Sequence, residues 1–318
     1  MQVIITGAAG FLGQLLAKKL LSTSSIDFTE ILLVDIVEPQ KPLEDSRIKC
    51  LELDLSNADA AQSIISKNTK LVFHLAAIVS GHAEKDFDLG WQVNVDSTRF
   101  LLEACRQIST NIGFVFASSC AVFGGNLPAI VNDMTALNPS SSYGAQKTIC
   151  ELMVNDYARK GYILGISLRL PTICVRPGKA NQAASSFVSG IIREPLNKQI
   201  AICPVDPKLA VWISSPETII NNFVIAAKLL PESKLKWRSV NLPGIKVTVN
   251  HMIATLQKLT SEKIIEKIKF EIDEPINKLV VSWPTEINND TAIALGFEVD
   301  ANFEDFIINY CKSEGIQI

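Results

Sequence analysis

Histidine is scarce in this 318-residue chain: His74, His82 and His251 are the only three. They share no close ligand spacing, which argues against a zinc site built from imidazoles and leaves no metal in the expected chemistry. The seven cysteines, at 50, 105, 120, 150, 174, 203 and 311, are odd in number and contain no CxxC pair. Scattered thiols of this kind exclude a disulfide scaffold and suit a reducing cytoplasm. No run approaches eighteen apolar residues, so a membrane span is not expected. Dense basic blocks are also missing. With 30 Lys and Arg against 33 Asp and Glu the net charge is -3, and no continuous cationic face is offered to a nucleic acid. The most basic short stretch, Lys234 to Arg238, reads as solvated surface. Residues 1–6 are apolar but run straight into glycines, which reads as a buried first strand rather than a signal peptide.

What is present is an alternation of short apolar runs with longer helical patterns. Strands are expected at Val3 to Thr6, Ile31 to Asp35, Ile48 to Leu53, Leu71 to Leu75 and Gly113 to Ala117, with a sixth at Leu164 to Leu170. Helices are expected near 11–21, 57–66, 91–108 and 143–160. The strand runs are apolar without clean alternation, as strands buried on both faces of a parallel sheet should be. The texture changes after Pro171, where short elements alternate with proline-marked loops. A helix is expected over 183–192, ending before Pro195, and others over 217–230, 248–256, 288–295 and 302–312. The expected fold is α/β: a Rossmann-type parallel sheet with helices on both faces over 1–173, then a smaller α/β substrate-binding cap and C-terminal helices over 174–318, with later elements returning to the first domain.

The strongest local signal is Val3-Ile4-Ile5-Thr6-Gly7-Ala8-Ala9-Gly10-Phe11-Leu12-Gly13, a strand feeding a helix through three glycines. Gly7 permits a sharp turn, Gly10 leaves room for a pyrophosphate, and Gly13 lets helix and strand approach closely. The helix N-terminus adds free N–H groups for phosphate. Asp35, twenty-two residues past Gly13, ends the second strand where a carboxylate accepts the ribose hydroxyls of adenosine. Its charge opposes a 2′-phosphate, so NAD is expected over NADP. Asp54-Leu55 and Leu75-Ala76-Ala77 follow the third and fourth strands along the cofactor's path. His74 reads as a packed strand-end residue with no proton-transfer role.

Tyr143 and Lys147 stand at i and i+4 of a helix, on one face. A tyrosine that removes a proton from an alcohol needs help to ionise, and a neighbouring ammonium supplies it. Ser118 and Ser119 end the fifth strand, Ser119 lying twenty-four residues before Tyr143. A hydroxyl there holds a reacting oxygen as charge develops. Ser119 is the expected catalytic serine, and Ser118 a cofactor or structural contact.

Together, the glycine pattern, Asp35, the Ser-Ser-Cys-Ala-Val-Phe-Gly run and the Tyr143/Lys147 pair resemble the extended short-chain dehydrogenase/reductase family along nearly the whole chain. The resemblance implies Ser119, Tyr143 and Lys147 as the proton-transfer set. It implies cofactor contacts from Gly7, Gly10, Phe11, Leu12, Gly13, Asp35, Asp54, Leu55, Leu75, Ala76, Ala77, Asn94, Ser118, Tyr143, Lys147 and Pro171. Asn94 matches the family's helix asparagine, implied to organise a water and the lysine; a plain helix contact is its other reading. Phe123-Gly124 departs from the frequent Tyr-Gly, removing a possible tyrosine contact. Within the family, the stretch Arg169 to Pro177-Gly178, continuing through Ser185-Ser186 to Pro195-Leu196, is similar to sugar-acid dehydrogenases, as are Ser282-Trp283-Pro284 and Ala294 to Phe297. That similarity implies NAD-dependent oxidation of the C2 hydroxyl of D-erythronate or a closely related small sugar acid. Ser119, Tyr143, Arg176, Ser185 and Ser186 are then the substrate contacts, an arginine fork and hydroxyls being what a carboxylate wants. Arg176 as an interdomain ion pair, Ser185 and Ser186 as helix caps, and Trp212 as core are the plainer readings. The family resemblance also implies a homodimer through the helices around 91–108 and 143–160. A sugar-nucleotide epimerase or dehydratase is the rival enzyme reading, and a non-catalytic NAD-binding protein the rival outside catalysis.

Overall fold

A computed structural model describes residues 1–180, 183–230 and 237–318. Of the basic stretch Lys234 to Arg238, residues 234–236 lie outside these; Trp237 is exposed, and the Arg238 backbone N–H donates to Asn155 Oδ1 at 3.1 Å.

Among the described residues twelve strands are seen: β1 Gln2–Thr6, β2 Glu30–Asp35, β3 Ile48–Glu52, β4 Thr69–His74, β5 Gly113–Ser119, β6 Leu164–Leu170, β7 Thr172–Ile173, β8 Ala201–Cys203, β9 Ala210–Ser214, β10 Ser239–Asn241, β11 Ile245–Thr248 and β12 Ile268–Phe270. Seven form one parallel sheet in the order β10-β6-β5-β4-β1-β2-β3. The order reverses beside β1: the chain moves from β1 to β2 and β3 on one side, then crosses to β4, β5 and β6 on the other. In open α/β sheets, ligands lie outside the carboxyl ends of the strands at such a switch point.

Both faces of the sheet are covered, which is why its strands read as unbroken apolar runs. On one face Val3, Ile5, Phe73 and Val115 pack with Leu16 and Leu20 of the helix Phe11–Ser22 and Phe223 of the helix Pro216–Leu229. On the other, Ile4, Val72, Phe114 and Phe116 pack with Leu101 and Cys105 of the helix Ser97–Ile108 and Val154 of the helix Ser142–Arg159. A separate core in the second half joins Phe187 and Ile191 of the helix Ser186–Leu196 to Met252, Phe306 and Tyr310. The chain returns from this cap to the large sheet through β10, which pairs with β6 from Ser239 to Asn241. Trp212 is core, 5% exposed, and six of the seven cysteines are buried.

Two expectations are adjusted. The helix expected over 91–108 opens with a π-helical turn, Trp91–Asp96, before regular helix from Ser97. The helix expected to stop before Pro195 runs from Ser186 to Leu196 with that proline in its last turn. The residue before a proline is only biased against helix. Among the described residues no helix is long and apolar enough to cross a membrane.

Candidate active site

The carboxyl ends of β1, β2, β4, β5 and β6 and the start of the cap enclose a cavity of about 590 Å³, within the ~300–1,000 Å³ usual for ligand sites. Gly7 forms its turn at φ +69°, and a Cβ there would lie 2.6 Å from the backbone nitrogen of Ala76. Gly13 packs its helix so closely on the turn that a Cβ would lie 2.7 Å from the Cα of Ala8. The helix Phe11–Ser22 has Gly10 as its N-cap, no side-chain cap and no acidic residue in its first turn. Its first N–H groups and its dipole are left to an anion from the cavity. These features fit a dinucleotide pyrophosphate.

Asp35 stands at the next strand end, its Oδ2 accepting from Ala9 N at 2.9 Å and its Oδ1 from Ile36 N at 2.7 Å. The cavity is polarised. Asp35 and Asp54 line the side under β2 and β3, while Lys147, Arg176, Lys179 and Arg193 line the side under β5, β6 and the cap. No basic residue among the described ones lines the Asp35 side, so nothing there compensates a 2′-phosphate.

Phe11, Leu12, Leu55, Leu75, Ala76, Ala77, Ser118 and Pro171 also line the cavity. The Ser118 hydroxyl, however, donates to Glu151 Oε1 at 2.5 Å, away from any ligand. Asn94 does not line the cavity. Within the π-helical turn its Oδ1 accepts from Ile78 N at 2.9 Å, and its Nδ2 donates to Ile78 O at 3.2 Å and Gln146 Oε1 at 2.7 Å. Held this way, Asn94 fastens the loop that carries the cavity wall at 75–80.

Ser119, Tyr143 and Lys147 meet on the other side of the switch point. Ser119 caps the short turn Cys120–Val122 by accepting from Ala121 N at 3.1 Å, which leaves its own proton free to donate. It lines the cavity together with Tyr143. Lys147 is buried; its Nζ donates to Ala117 O at 2.8 Å and sits 5.6 Å from the centre of the Tyr143 ring. Burial pushes the Tyr143 phenol above its ordinary range, while Ser119 and the Arg176 guanidinium pull it back. The spacing of Tyr143 and Lys147 points to the lysine alone for that electrostatic help; the structure adds Arg176. Burial also draws the Lys147 ammonium down to about 8, against the opposing charges of Cys150 and Glu151. A hydroxyl donor, an ionisable phenol and an ammonium around one point can hold an alcohol oxygen and remove its proton.

His74 lies behind this group, fully buried between the hydroxyls of Thr6, 2.7 Å from Nδ1, and Thr98, 3.0 Å from Nε2. Thr98 donates to Asn94 O, so the network assigns Nε2 as donor and Nδ1 as acceptor, a neutral imidazole. Burial, helped by Lys147, depresses its pKa from 6.5 to about 3. The unfolded chain therefore binds a proton that the folded chain refuses between those values. Stability should fall as pH drops from 6.5 toward 3, with this group contributing up to ~1.4 kcal/mol per pH unit. Urea unfolding across that window should give a shallower pH slope for His74→Gln; equal slopes would show that His74 protonates normally in the fold.

Arg176 is half-buried and stacks 5.8 Å from the centre of the Phe11 ring. No carboxylate pairs with it among the described residues. Ser185 and Ser186, at the start of the helix Ser186–Leu196, line the same cavity. Unanticipated from sequence are Ser80, Ser189, Arg193 and Trp283. Trp283 brings an indole N–H that lacks a partner among the described residues, and Arg193 stands in a largely apolar stretch of helix. An arginine amid Phe187, Val188, Ile191 and Ile192 was the available signal.

The family model described as "NAD dependent epimerase/dehydratase family" matches residues 3–213. The chain is 50% identical over 312 residues to the D-erythronate dehydrogenase of Haemophilus influenzae, covering 98% of this chain and 99% of the relative. It is 45% identical to the D-erythronate dehydrogenase of Cupriavidus necator, covering 99% of each. Among solved structures it resembles the nucleoside-diphosphate-sugar epimerase from Agrobacterium tumefaciens, with TM-score 0.93, 38% identity, and coverage of 100% of this chain and 95% of that one. The chain belongs to the NAD-dependent epimerase/dehydratase family, and it is an enzyme that uses NAD.

Proposed function

We propose that this enzyme oxidises the C2 hydroxyl of D-erythronate, or a closely related small sugar acid, to the 2-oxo acid. The observation that carries the reading is Arg176, a half-buried guanidinium without a carboxylate partner among the described residues, in one cavity with Ser119 and Tyr143. A desolvated cation without a counter-ion is costly, and a substrate carboxylate relieves that cost through a two-pronged hydrogen bond. Ser185 and Ser186 supply further hydroxyls beside it. The two relatives that match along the whole chain support the same substrate.

Gly7, Gly10, Gly13, Asp35 and the wall from Leu75 to Ala77 hold the cofactor, and Lys147 and Pro171 flank its nicotinamide end. NAD⁺, when bound, supplies the hydride acceptor for C2. Tyr143 takes the hydroxyl proton as phenolate. Ser119 donates to the same oxygen, and Lys147 and Arg176 favour the phenolate charge. The reading includes a homodimer packed through 91–108 and 143–160, whose outer faces leave Trp91 and Leu152 exposed. Seven unpaired thiols suit a reducing cytoplasm.

The test is NADH appearance over four-, five- and six-carbon aldonates with NAD⁺ and NADP⁺. The expected result is release of NADH with the four-carbon acid and far slower reaction with NADP⁺. The name of the similar Agrobacterium structure favours one alternative, sugar-nucleotide epimerisation. Tightly retained NAD, inversion of a nucleotide sugar and no net NADH would establish that instead.

A further inference from the structure

The helix Ser186–Leu196 grips the Arg176 segment at two points one turn apart. Ser189 Oγ accepts from Arg176 N at 3.0 Å, and Arg193 Nη1 donates to Arg176 O at 2.8 Å. Arg193 is itself nearly buried, its side chain 6% exposed, and reaches the cavity wall. Its Nη2 is paired at 2.5 Å with Oε1 of Glu194, whose Oε2 is buried without a hydrogen-bond partner among the described residues. The end of the cavity under the cap thus carries two guanidinium groups, one of them paired with the Glu194 carboxylate, while Lys147, the other buried cation of this side, lies over the Tyr143 ring. Lys179 is on the exposed rim, where water screens it. Asp35 and Asp54 belong to the opposite side.

We propose that Arg193, with Glu194 as its counter-charge, is the second cation of the acid-binding end and restricts the site to acids carrying one negative charge. The proposal rests on Arg176 as the carboxylate contact. With Lys147 set against the Tyr143 phenolate, the two guanidinium groups and the Glu194 carboxylate leave a single positive charge, which a monocarboxylate neutralises. A diacid adds an anion that no buried group balances, and an unpaired charge in such a site is strongly disfavoured. Arg193 acts by fixing the Arg176 backbone and by its own field; Glu194 acts through Arg193.

The test compares wild type, Arg193→Met/Glu194→Gln and Glu194→Gln on D-erythronate and on tartrate, a four-carbon hydroxy diacid. NADH affinity, from its fluorescence, serves as the folding control. The double variant removes both charges and strands neither. Its KM for erythronate should rise about tenfold or more, as expected for losing one charge-assisted contact, with NADH affinity within about twofold. Glu194→Gln, which raises the local charge by one, should narrow the preference for erythronate over tartrate by about tenfold. Unchanged KM in the double variant with unchanged acid preference in Glu194→Gln would overturn the proposal, leaving Arg176 intact. If the double variant loses NADH binding, Glu194→Gln decides alone by the same criterion. If wild type oxidises neither acid nor any aldonate, the Arg176 reading falls and this one with it.

Discussion

Replacing Tyr143 with phenylalanine is expected to lower sugar-acid turnover by about 10²–10⁴-fold, the usual contribution of a positioned general base. NAD affinity should stay close to wild type. The substitution keeps the ring, which lies against the Lys147 ammonium. What is lost is one hydroxyl, and Ser119 still accepts from Ala121 N and faces the cavity, where water or substrate can take its proton. No buried group is orphaned, so the fold should hold. Steady-state NADH formation beside NAD binding by calorimetry separates the outcomes. A loss of both binding and turnover would point to a structural role for the phenol. Turnover within a few-fold of wild type would remove Tyr143 from proton transfer. Because burial holds the phenol above its ordinary range, wild-type turnover should also rise with pH as the phenolate forms, and the residual rate of the variant should lose that rise.

The features readable in the sequence are those whose meaning is local. Gly7, Gly10 and Gly13 are spaced along one strand-turn-helix unit, and Tyr143 and Lys147 along one helix face, so spacing alone brings them together. The six early strands were legible because both sheet faces are covered and nearly every residue is apolar. The cap was less so. Two-residue β7 pairs with β9 about forty positions later, and β8 with β12 farther still. β8, Ala201-Ile202-Cys203, is apolar throughout and shows no alternation, while β12 does alternate, Ile268-Lys269-Phe270-Glu271, but is only three residues long and leaves Phe270 exposed. Asn94 needed the fold to place it. Its position on the helix matched, but the π-helical turn directs its amide to Ile78 and Gln146. Arg193 and Glu194 look like ordinary helix charges until the fold buries one of them against the Arg176 backbone.

Glu151 is the residue whose loss should cost the fold most. On the helix Ser142–Arg159 it follows Lys147 by four positions and Tyr143 by eight, and in sequence it reads as one more helix glutamate. In the fold it is 0% exposed and paired with Arg169, itself 2% exposed. Arg169 Nε lies 3.0 Å from both carboxylate oxygens and Nη2 2.8 Å from Oε2, while Ser118 donates to Oε1. Arg169 extends the network through Nη1 to Asn241 Oδ1 at 3.3 Å, and Asn241 Nδ2 donates to Asp133 at 2.9 Å. One carboxylate therefore ties the Tyr143 helix to the ends of β5 and β6 and, through Asn241, to β10. Glu151→Ala leaves Arg169 buried with no anion, and breaking a buried pair in this way costs about 3–5 kcal/mol. Urea unfolding should show that loss as a lower midpoint with an unchanged slope. Replacing both partners, Glu151→Gln with Arg169→Met, strands no charge and should recover much of the stability, since an apolar substitute for a buried pair is often close to neutral. A Glu151→Ala loss below about 1 kcal/mol, the scale of an exposed pair, would mean that water reaches Arg169. Recovery of stability in the double variant without recovery of turnover would show that the pair also places Ser119 and Lys147, which sit on β5 and the Tyr143 helix, two of the elements this network joins.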